Sequence, residues 1–284
     1  MDTGELGSCG DSWEEPVGQE RDPADLRRVA VEVLRSTPLK ELGGVQLAQA
    51  LQYEAHQVLG MSGEAVSSSI DLASIVHSSQ KRGTRGLWAE TPYIEHPLRN
   101  AVRLLRWGCR DQDVIIAAVL HDTIEDGAQH FVRAIARTGH EIPELEARAM
   151  LSDHIKNAYG ARVLALVEAV TNDFIADTEK SESTLDERYK VYREHVRQTI
   201  SGHPGAFLVK LSDFVDNAGG LYHADVPGRE DFVVHRARKY LPVIAVFEEE
   251  MDHVDLPVAA GSLTAIKAQL AAIRGRLEHI MRKY

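Results

Sequence analysis

Cysteine is nearly absent from this sequence, which contains only Cys9 and Cys109 among 284 residues. Two cysteines are too few for a disulfide framework or for a zinc module built on cysteine ligands. A reducing compartment is therefore the default environment for such a chain. We predict a cytoplasmic protein.

Long hydrophobic runs are also missing. The longest uninterrupted apolar run extends from Val114 to Leu120, far short of the ~20 residues that a membrane-spanning helix needs. The opening stretch, MDTGELGSCGDSWEEPVGQE, has neither the basic region nor the apolar region of a signal peptide. Its acidic and Gly/Ser-rich composition predicts that residues 1–22 form a disordered tail.

Positive charge is in deficit, because 32 Lys and Arg residues stand against 43 Asp and Glu residues and give a formal net charge of −11. This balance makes the chain a poor candidate for nonspecific binding to duplex nucleic acid or to an anionic membrane. It does not exclude a small anionic substrate, since a bound metal ion can reverse the local field. The hydrophobic fraction of 44% is that of an ordinary globular protein.

The alternation of apolar and polar residues that marks β-strands is scarce. Nearly every segment from residue 23 onward has the apolar period of a helix, so the sequence predicts an all-α fold. Stretches 83–92 and 172–184 are typical of linkers, and 252–261 is typical of a hinge. The stripe of the last helix predicts a docking face or a dimer contact; it consists of Ile266, Leu270, Ile273, Leu277 and Ile280.

One helix end concentrates titratable groups. His121 lies on the same apolar stripe as Val114, and Asp122 follows it directly. Glu125 and Asp126 lie three and four residues beyond Asp122. Three carboxylates and an imidazole crowd this helix end, and unpaired carboxylates there would repel one another and lose hydration unless a cation neutralised them. The pattern therefore indicates a divalent cation site.

Two further segments extend this pattern. Asp213 shares a helix face with Val209 and Asn217, so its carboxylate needs a partner. His96 precedes Pro97, which disfavours a helical conformation and predicts that His96 lies just before a helix. Taken singly, such a histidine is more often an ordinary core residue, and such an aspartate is more often a helix cap. Together they form a mixed nitrogen and oxygen ligand set that suits Mn, Fe, Mg or Zn.

Four stretches of the sequence, read in order, carry a family resemblance. They are TPYIEHPLRNAVRLL, IIAAVLHDTIEDG, LVEAVTND and PGAFLVKLSDFVDNAGGL. This order resembles the HD-domain metal-dependent phosphohydrolases. More narrowly, it is similar to the hydrolase domain of RelA/SpoT-type stringent-response enzymes and to the stand-alone small alarmone hydrolases. The resemblance covers roughly residues 71–250.

The resemblance implies a compact, all-helical HD-domain bundle with extra helices at both ends. The expected divisions are a tail over 1–22, accessory helices over 23–62, a hydrolase domain over 63–250 and an accessory helix over 251–284. It implies hydrolysis of the 3′-pyrophosphate of a nucleotide such as ppGpp or ppApp by a metal-activated water. The expected partner is thus a small nucleotide. Whether the protein forms a homo-oligomer is left open.

The resemblance also implies roles for particular residues. The metal, usually manganese, would be held by His96, His121, Asp122 and Asp213. The catalytic acidic pair would be Glu125 and Asp126. The implied substrate contacts are Arg82 packing on the base, Asn217, and Lys81 near the phosphates. Lys210 either reaches a phosphate or extends its amine toward solvent from an apolar helix face.

Three positions depart from the family pattern and leave the substrate open. Gly83 follows Arg82 where the family often has lysine, and Gly127 replaces a common threonine. The segment Ala218-Gly219-Gly220 lacks an arginine that the family commonly has after the asparagine. The alternatives are an HD-type nucleotidase or phosphohydrolase with another nucleotide substrate, and a nucleotide-binding regulator or antitoxin-like partner without turnover.

Overall fold

A computed structural model describes residues 23–60, 63–85, 88–135, 142–172 and 184–284. The all-α prediction is confirmed for these residues. The expected tail over 1–22 and most of the expected linker over 172–184 lie outside the described residues. No described helix combines the length and the apolar character of a membrane span.

Helices account for most of the described chain. In chain order the elements are α1 Pro23–Ser36, α2 Gly44–Leu59, α3 Gly63–Val76, β1 Lys81–Arg85, β2 Trp88–Pro92, α4 Glu95–Arg106, α5 Gln112–Leu120, α6 Thr123–Asp126, α7 Ala128–Ile135, α8 Glu144–Tyr159, α9 Ala161–Val170, α10 Leu185–Ile200, α11 Pro204–Gly219, a 3₁₀ turn Leu221–Ala224, α12 Glu230–Met251 and α13 Ser262–Lys283.

Helix α5 lies at the centre of the bundle. Every residue from Val114 to Leu120 is buried, so this helix has no polar face and must be surrounded by other elements. It packs against α3, α4, α9 and α11. The side chain of Asp111 caps it by accepting a hydrogen bond from the backbone N–H of Asp113 at 3.1 Å. The core therefore holds the carboxyl end of α5 in a fixed place, directly before His121.

The prediction of a linker over 83–92 is wrong, because β1 and β2 form an antiparallel hairpin there. Arg82 pairs with Thr91, and Gly83 pairs with Glu90. The strands are too short and too polar to show an alternating pattern, so the sequence contained no strand signal. The hairpin packs against the 3₁₀ turn Leu221–Ala224, and Arg82 consequently stands on a hydrogen-bonded strand.

The carboxyl-terminal helix docks on the bundle through its apolar stripe, as predicted. All five stripe residues of α13 are buried, and α13 packs against α12. The predicted hinge over residues 252–261, which precedes α13, is fixed to the core, since Val254 and Leu256 are buried. The N–H of Ala259 also donates to the carbonyl of Trp107 at 2.9 Å. Helix α13 is therefore anchored both through the segment that precedes it and through its apolar stripe.

Candidate metal and catalytic centre

The four predicted ligands meet at one point between α4, α5 and α11. Nε2 of His96 lies 3.1 Å from Oδ1 of Asp213 and 3.6 Å from Oδ2 of Asp122. Nε2 of His121 lies 3.1 Å from Oδ2 of Asp122 and 3.7 Å from Oδ1 of Asp213. Ligand atoms of His96, His121 and Asp122 all fall within 4.8 Å of one another. Such a set can hold one divalent cation.

The hydrogen bonds of the two histidines suit this role. Nδ1 of His121 donates to the carbonyl of Ala118 at 3.0 Å, and Nδ1 of His96 donates to Oδ2 of Asp216 at 2.8 Å. Both bonds leave the lone pair on Nε2, which is the atom that faces the carboxylates. Within the described part of the chain, Nε2 of His121 is buried and has no hydrogen-bond partner. The residues present therefore fit a cation.

Without a bound cation, the pKa shifts of His121 and Asp122 show how the charges of the imidazoles and the carboxylates balance one another. Burial lowers the pKa of His121, but Asp122 and Asp213 outweigh burial and raise that pKa to about 10. Burial raises the pKa of Asp122, but His121 and His96 outweigh it and hold the pKa well below its usual range. A protonated imidazole thus supplies the positive charge that a bound cation would otherwise bring.

The position of His96 differs from the prediction. Helix α4 begins at Glu95, so His96 lies inside its first turn and not before the helix. Pro97 is tolerated there because the first helical turn makes no demand on its missing N–H, and no preceding turn exists for its ring to clash with. The first turn of α4 is buried, which holds the His96 ring rigidly.

Asp216 is a site residue that the sequence interpretation missed. It lies one turn after Asp213 on α11, is 1% exposed, and bonds Nδ1 of His96. Arg99 donates to both of its oxygens, with Nε 2.9 Å from Oδ1 and Nη2 3.1 Å from Oδ2. Nη2 of Arg103 donates to Oδ1 at 3.0 Å. Asp216 therefore orients a predicted metal ligand and is itself held by two guanidinium groups.

Lys40 also reaches this network from the loop between α1 and α2. Its Nζ lies 3.0 Å from Oδ2 of Asp216 and donates to the carbonyl of the same residue at 3.0 Å. Burial lowers the pKa of Lys40 to about 7, although the carboxylate of Asp216 opposes the shift. The predicted amino-terminal accessory segment thus contributes a side chain to the site.

Tyr93 links the metal cluster to the acidic pair. Its hydroxyl donates to Oδ2 of Asp122 at 2.6 Å and to Oδ2 of Asp126 at 3.2 Å. Its ring stacks on His77 with centroids 4.8 Å apart, and Nδ1 of His77 bonds Oε1 of Gln80 at 2.6 Å. His77 and Gln80 therefore support the tyrosine that aligns two carboxylates.

Glu125 and Asp126 lie on the short helix α6, in different surroundings. Glu125 accepts hydrogen bonds from the backbone N–H of Asn172 at 3.0 Å and from its amide at 2.8 Å. Asp126 is less enclosed, and burial together with the charges of Asp122 and Glu125 raises its pKa to about 6. The pair thus combines a fixed carboxylate with one that exchanges a proton near neutral pH.

Two of the predicted substrate residues touch the metal cluster. Arg82 donates to Oδ1 of Asn217, and its Nη1 lies 3.8 Å from Oδ2 of Asp216. The Cζ of Arg82 lies 5.4 Å from the centroid of the Tyr93 ring. The amide of Asn217 donates to Oδ1 of Asp213. This arginine therefore lies beside the metal cluster.

The two predicted lysines lie elsewhere on the wall of the site. Lys210 is buried and donates to the carbonyl of Val170 at 3.0 Å. Lys81 is exposed at the rim and pairs with Glu90 at 2.9 Å across the hairpin. Both line the same cavity as Arg82 and Asn217, which has a volume of about 520 Å³.

Packing explains Gly127 and also Gly220, which follows the position of the missing arginine. A β-carbon on Gly127 would lie 2.0 Å from Cγ1 of Val76, so the core leaves no space for a side chain. A β-carbon on Gly220 would lie 2.8 Å from Nζ of Lys40 and 2.8 Å from the carbonyl oxygen of Asp216. Gly220 therefore leaves open the path by which Lys40 reaches Asp216.

A histidine pair and an adjacent aspartate on the helices of an all-α bundle define an HD-type metal site. The family model described as "HD domain" matches residues 69–236, which is more than half of the chain. The chain belongs to the HD-domain family.

Curated relatives carry a narrower description. The guanosine-3′,5′-bis(diphosphate) 3′-pyrophosphohydrolase of Aquifex aeolicus is 32% identical over 190 residues, covering 65% of this chain and 21% of that protein. The chain therefore spans about a fifth of that relative. Proteins of the same description from Mus musculus and Homo sapiens are each 29% identical over 184 residues, covering 64% of this chain and 82% of each relative.

Proposed function

We propose that this protein hydrolyses the 3′-pyrophosphate of guanosine 3′,5′-bis(diphosphate) or of its adenosine counterpart. The observation that carries the proposal is the meeting of His96, His121, Asp122 and Asp213 in a cavity that also has cationic walls. The descriptions of the relatives from Aquifex aeolicus and Mus musculus support the same reaction class.

The reaction consumes one water. The oxygen of water forms a bond to the phosphorus attached to O3′ of the ribose, and the bond from that phosphorus to O3′ breaks. O3′ takes a proton, and the products are the nucleoside 5′-diphosphate and pyrophosphate. Such a step needs an in-line nucleophile and compensation of the charge on the phosphoryl oxygens.

The cation is expected to be manganese, held by His96, His121, Asp122 and Asp213. When bound, a divalent cation acidifies a water molecule and neutralises phosphoryl charge. The imidazoles contribute their Nε2 lone pairs, which the hydrogen bonds at Nδ1 leave available. The mixed nitrogen and oxygen donor set suits manganese, and it also admits Mg, Fe or Zn.

Glu125 and Asp126 have different roles in the reaction. Glu125, fixed by two donors from Asn172, orients the attacking water. Asp126, with a pKa raised to about 6, gives a proton to O3′ or takes one from water at neutral pH. Tyr93 keeps Asp126 and Asp122 aligned through its hydroxyl.

The cations bind the substrate. Arg82 lies against the metal cluster and compensates charge on the 3′-pyrophosphate; its guanidinium plane also suits stacking on a purine. Asn217 holds Arg82 and contacts the ribose edge. Lys81 at the rim and Lys210 in the wall add positive potential along the path of the phosphates.

Purified protein, first stripped of metal and then loaded with Mn²⁺, tests this function. It is incubated separately with ppGpp, ppApp and simple nucleoside phosphates, and the products are separated by anion exchange. We expect pyrophosphate and a nucleoside 5′-diphosphate from ppGpp or ppApp. Asp122→Ala should abolish the reaction, whereas the exposed control Asp252→Ala should retain it.

The other outcomes point to other functions. Orthophosphate released only from simple nucleotides would replace the proposal with a nucleotidase. Absence of turnover with a bound cation would leave a nucleotide-binding regulator. The cytoplasmic location, the homo-oligomer, the lack of nucleic-acid binding and the domain divisions at residues 22, 62 and 250 stay predictions.

A further inference from the structure

Gly83 and Arg229 meet at the wall of the cavity. A β-carbon on Gly83 would lie 3.3 Å from both terminal nitrogens of Arg229. The terminal edge of the guanidinium therefore occupies the space that a side chain at position 83 would need. Gly83 belongs to β1, and Arg229 directly precedes α12, so two distant segments form this contact.

Phe232 supports the same guanidinium from another side. The Cζ of Arg229 lies 4.4 Å from the centroid of the Phe232 ring, which is cation–π distance. The Cζ of Arg236 lies 5.5 Å from the same ring. Phe232 is 38% exposed and lines the cavity together with both arginines. The guanidinium of Arg229 is thus held in place while still bordering the cavity.

The surrounding charge favours a polyanion. Arg82, Arg229, Arg236 and Lys239 line one cavity in a chain whose formal net charge is −11. Burial lowers the pKa of Lys239 to about 8, and the neighbouring positive charges of Arg236 and Lys210 add to this shift. A cluster of cations that destabilise one another is expected to be relieved by bound phosphate.

We propose that Arg229, admitted by Gly83 and braced by Phe232, binds the 5′-phosphates of the nucleotide substrate. The inference rests on the proposed function, which places the 3′-pyrophosphate at the metal cluster beside Arg82. O3′ and C5′ are carried by adjacent ring carbons on opposite faces of the ribose, so the 5′-phosphates diverge from the 3′-pyrophosphate at that cluster. Arginine forms paired hydrogen bonds with phosphate oxygens, so this contact selects nucleotides that are phosphorylated at both positions.

The test compares two anionic ligands on the Mn²⁺-loaded full chain. Guanosine 5′-diphosphate places its charge at the proposed site, whereas guanosine 3′-monophosphate leaves that site empty. We expect Arg229→Gln to weaken equilibrium binding of guanosine 5′-diphosphate by about 10- to 100-fold, the loss of one charge-assisted contact. Binding of guanosine 3′-monophosphate should change by less than about twofold. With ppGpp, KM should rise and kcat should remain within about threefold.

Two further variants sharpen the test. Gly83→Val displaces the guanidinium without removing it, and it should weaken guanosine 5′-diphosphate binding in the same direction. The double variant of Gly83→Val and Arg229→Gln should bind guanosine 5′-diphosphate about as weakly as Arg229→Gln alone, because both changes remove the same contact. Arg238→Gln on the same helix is the matched control, since Arg238 is exposed and lies outside the cavity lining.

The outcomes separate this inference from the proposed function. Equal loss for both ligands, or no loss for either, would overturn the role of Arg229. If wild-type protein failed to hydrolyse ppGpp but showed the selective loss with guanosine 5′-diphosphate, only the proposed reaction would fail. If it hydrolysed ppGpp and Arg229→Gln left guanosine 5′-diphosphate binding unchanged, only the role of Arg229 would fail.

Discussion

The substitution Asp216→Asn tests the reasoning about the site most directly. Asp216 is completely enclosed and pairs with Arg99, Arg103 and Lys40 while it receives the Nδ1 proton of His96. Asparagine has nearly the same shape but no charge. The change therefore removes one negative charge from the middle of a buried cationic cluster and leaves the packing in place.

The size of the effect follows from these partners. Breaking a buried ion pair by removing one member costs about 3–5 kcal/mol. Lys40, with a pKa near 7, can release its proton at neutral pH and relieve part of the cost. Arg99 retains Glu95 as a partner at 3.3 Å. We therefore expect the free energy of unfolding to fall by about 3 kcal/mol, the lower end of that range.

The same substitution should weaken cation binding. The His96 ring loses the acceptor that fixes its proton on Nδ1, and partners of this kind are worth about 10- to 100-fold in metal affinity. Urea unfolding of the metal-free protein measures the stability, and titration with Mn²⁺ measures the affinity. ¹⁵N NMR of the histidines reports the tautomer directly, which a merely structural role for Asp216 would leave unchanged.

Asp225→Asn provides the matched control. Asp225 pairs with Lys283 at 2.9 Å near the protein surface, and pairs of this kind contribute less than about 1 kcal/mol. It should not alter Mn²⁺ affinity. If Asp216→Asn unfolded like this control and bound Mn²⁺ with wild-type affinity, Asp216 would neither stabilise the fold nor orient His96.

Three further results are expected. Asp213→Ala should remove Mn²⁺ binding measured by equilibrium dialysis together with all ppGpp turnover; retention of both would mean that the cation lies elsewhere. The amine of Lys40, with a pKa of about 7, should be acylated faster at pH 7.5 than that of the exposed Lys156. Its rate should fall as pH drops below 7 and the amine gains a proton, as followed by peptide mass spectrometry. Gly127→Ala should destabilise the fold by about 1–3 kcal/mol through overpacking, whereas Gly275→Ala, on the exposed face of α13 with open space around it, should stabilise it by about 0.5–1 kcal/mol in thermal unfolding.

The meeting of His121, Asp122 and Asp213 could be predicted because each belongs to a local pattern. His121 and Asp122 follow an apolar helix directly, and Asp213 lies on the stripe of another helix. Periodicity then places these three residues at the core side of the fold. The helical class was predictable for the same reason, since most helices bury a continuous stripe.

The surroundings of the ligands could not be predicted in this way. Lys40 and Asp216 lie 176 residues apart in sequence, and no local period indicates such a pair. The β-hairpin carries Arg82 on strands too short and polar for a strand signal. Arg229 gives no signal of its own either, because its contact with Gly83 joins two distant segments of the chain. Long-range contacts of this kind require the folded structure.

Two of these glycines suggest how the site works as a unit. Gly220 leaves a path for Lys40, and Gly83 leaves a place for Arg229. In both cases a glycine leaves room for a cation from a distant segment of the chain. The cavity therefore has a metal cluster of imidazoles and carboxylates and a separate wall of cations. With a cation bound at the metal cluster, a nucleotide phosphorylated at two positions would, under the proposed function, place one phosphate group at the cluster and the other at the cationic wall.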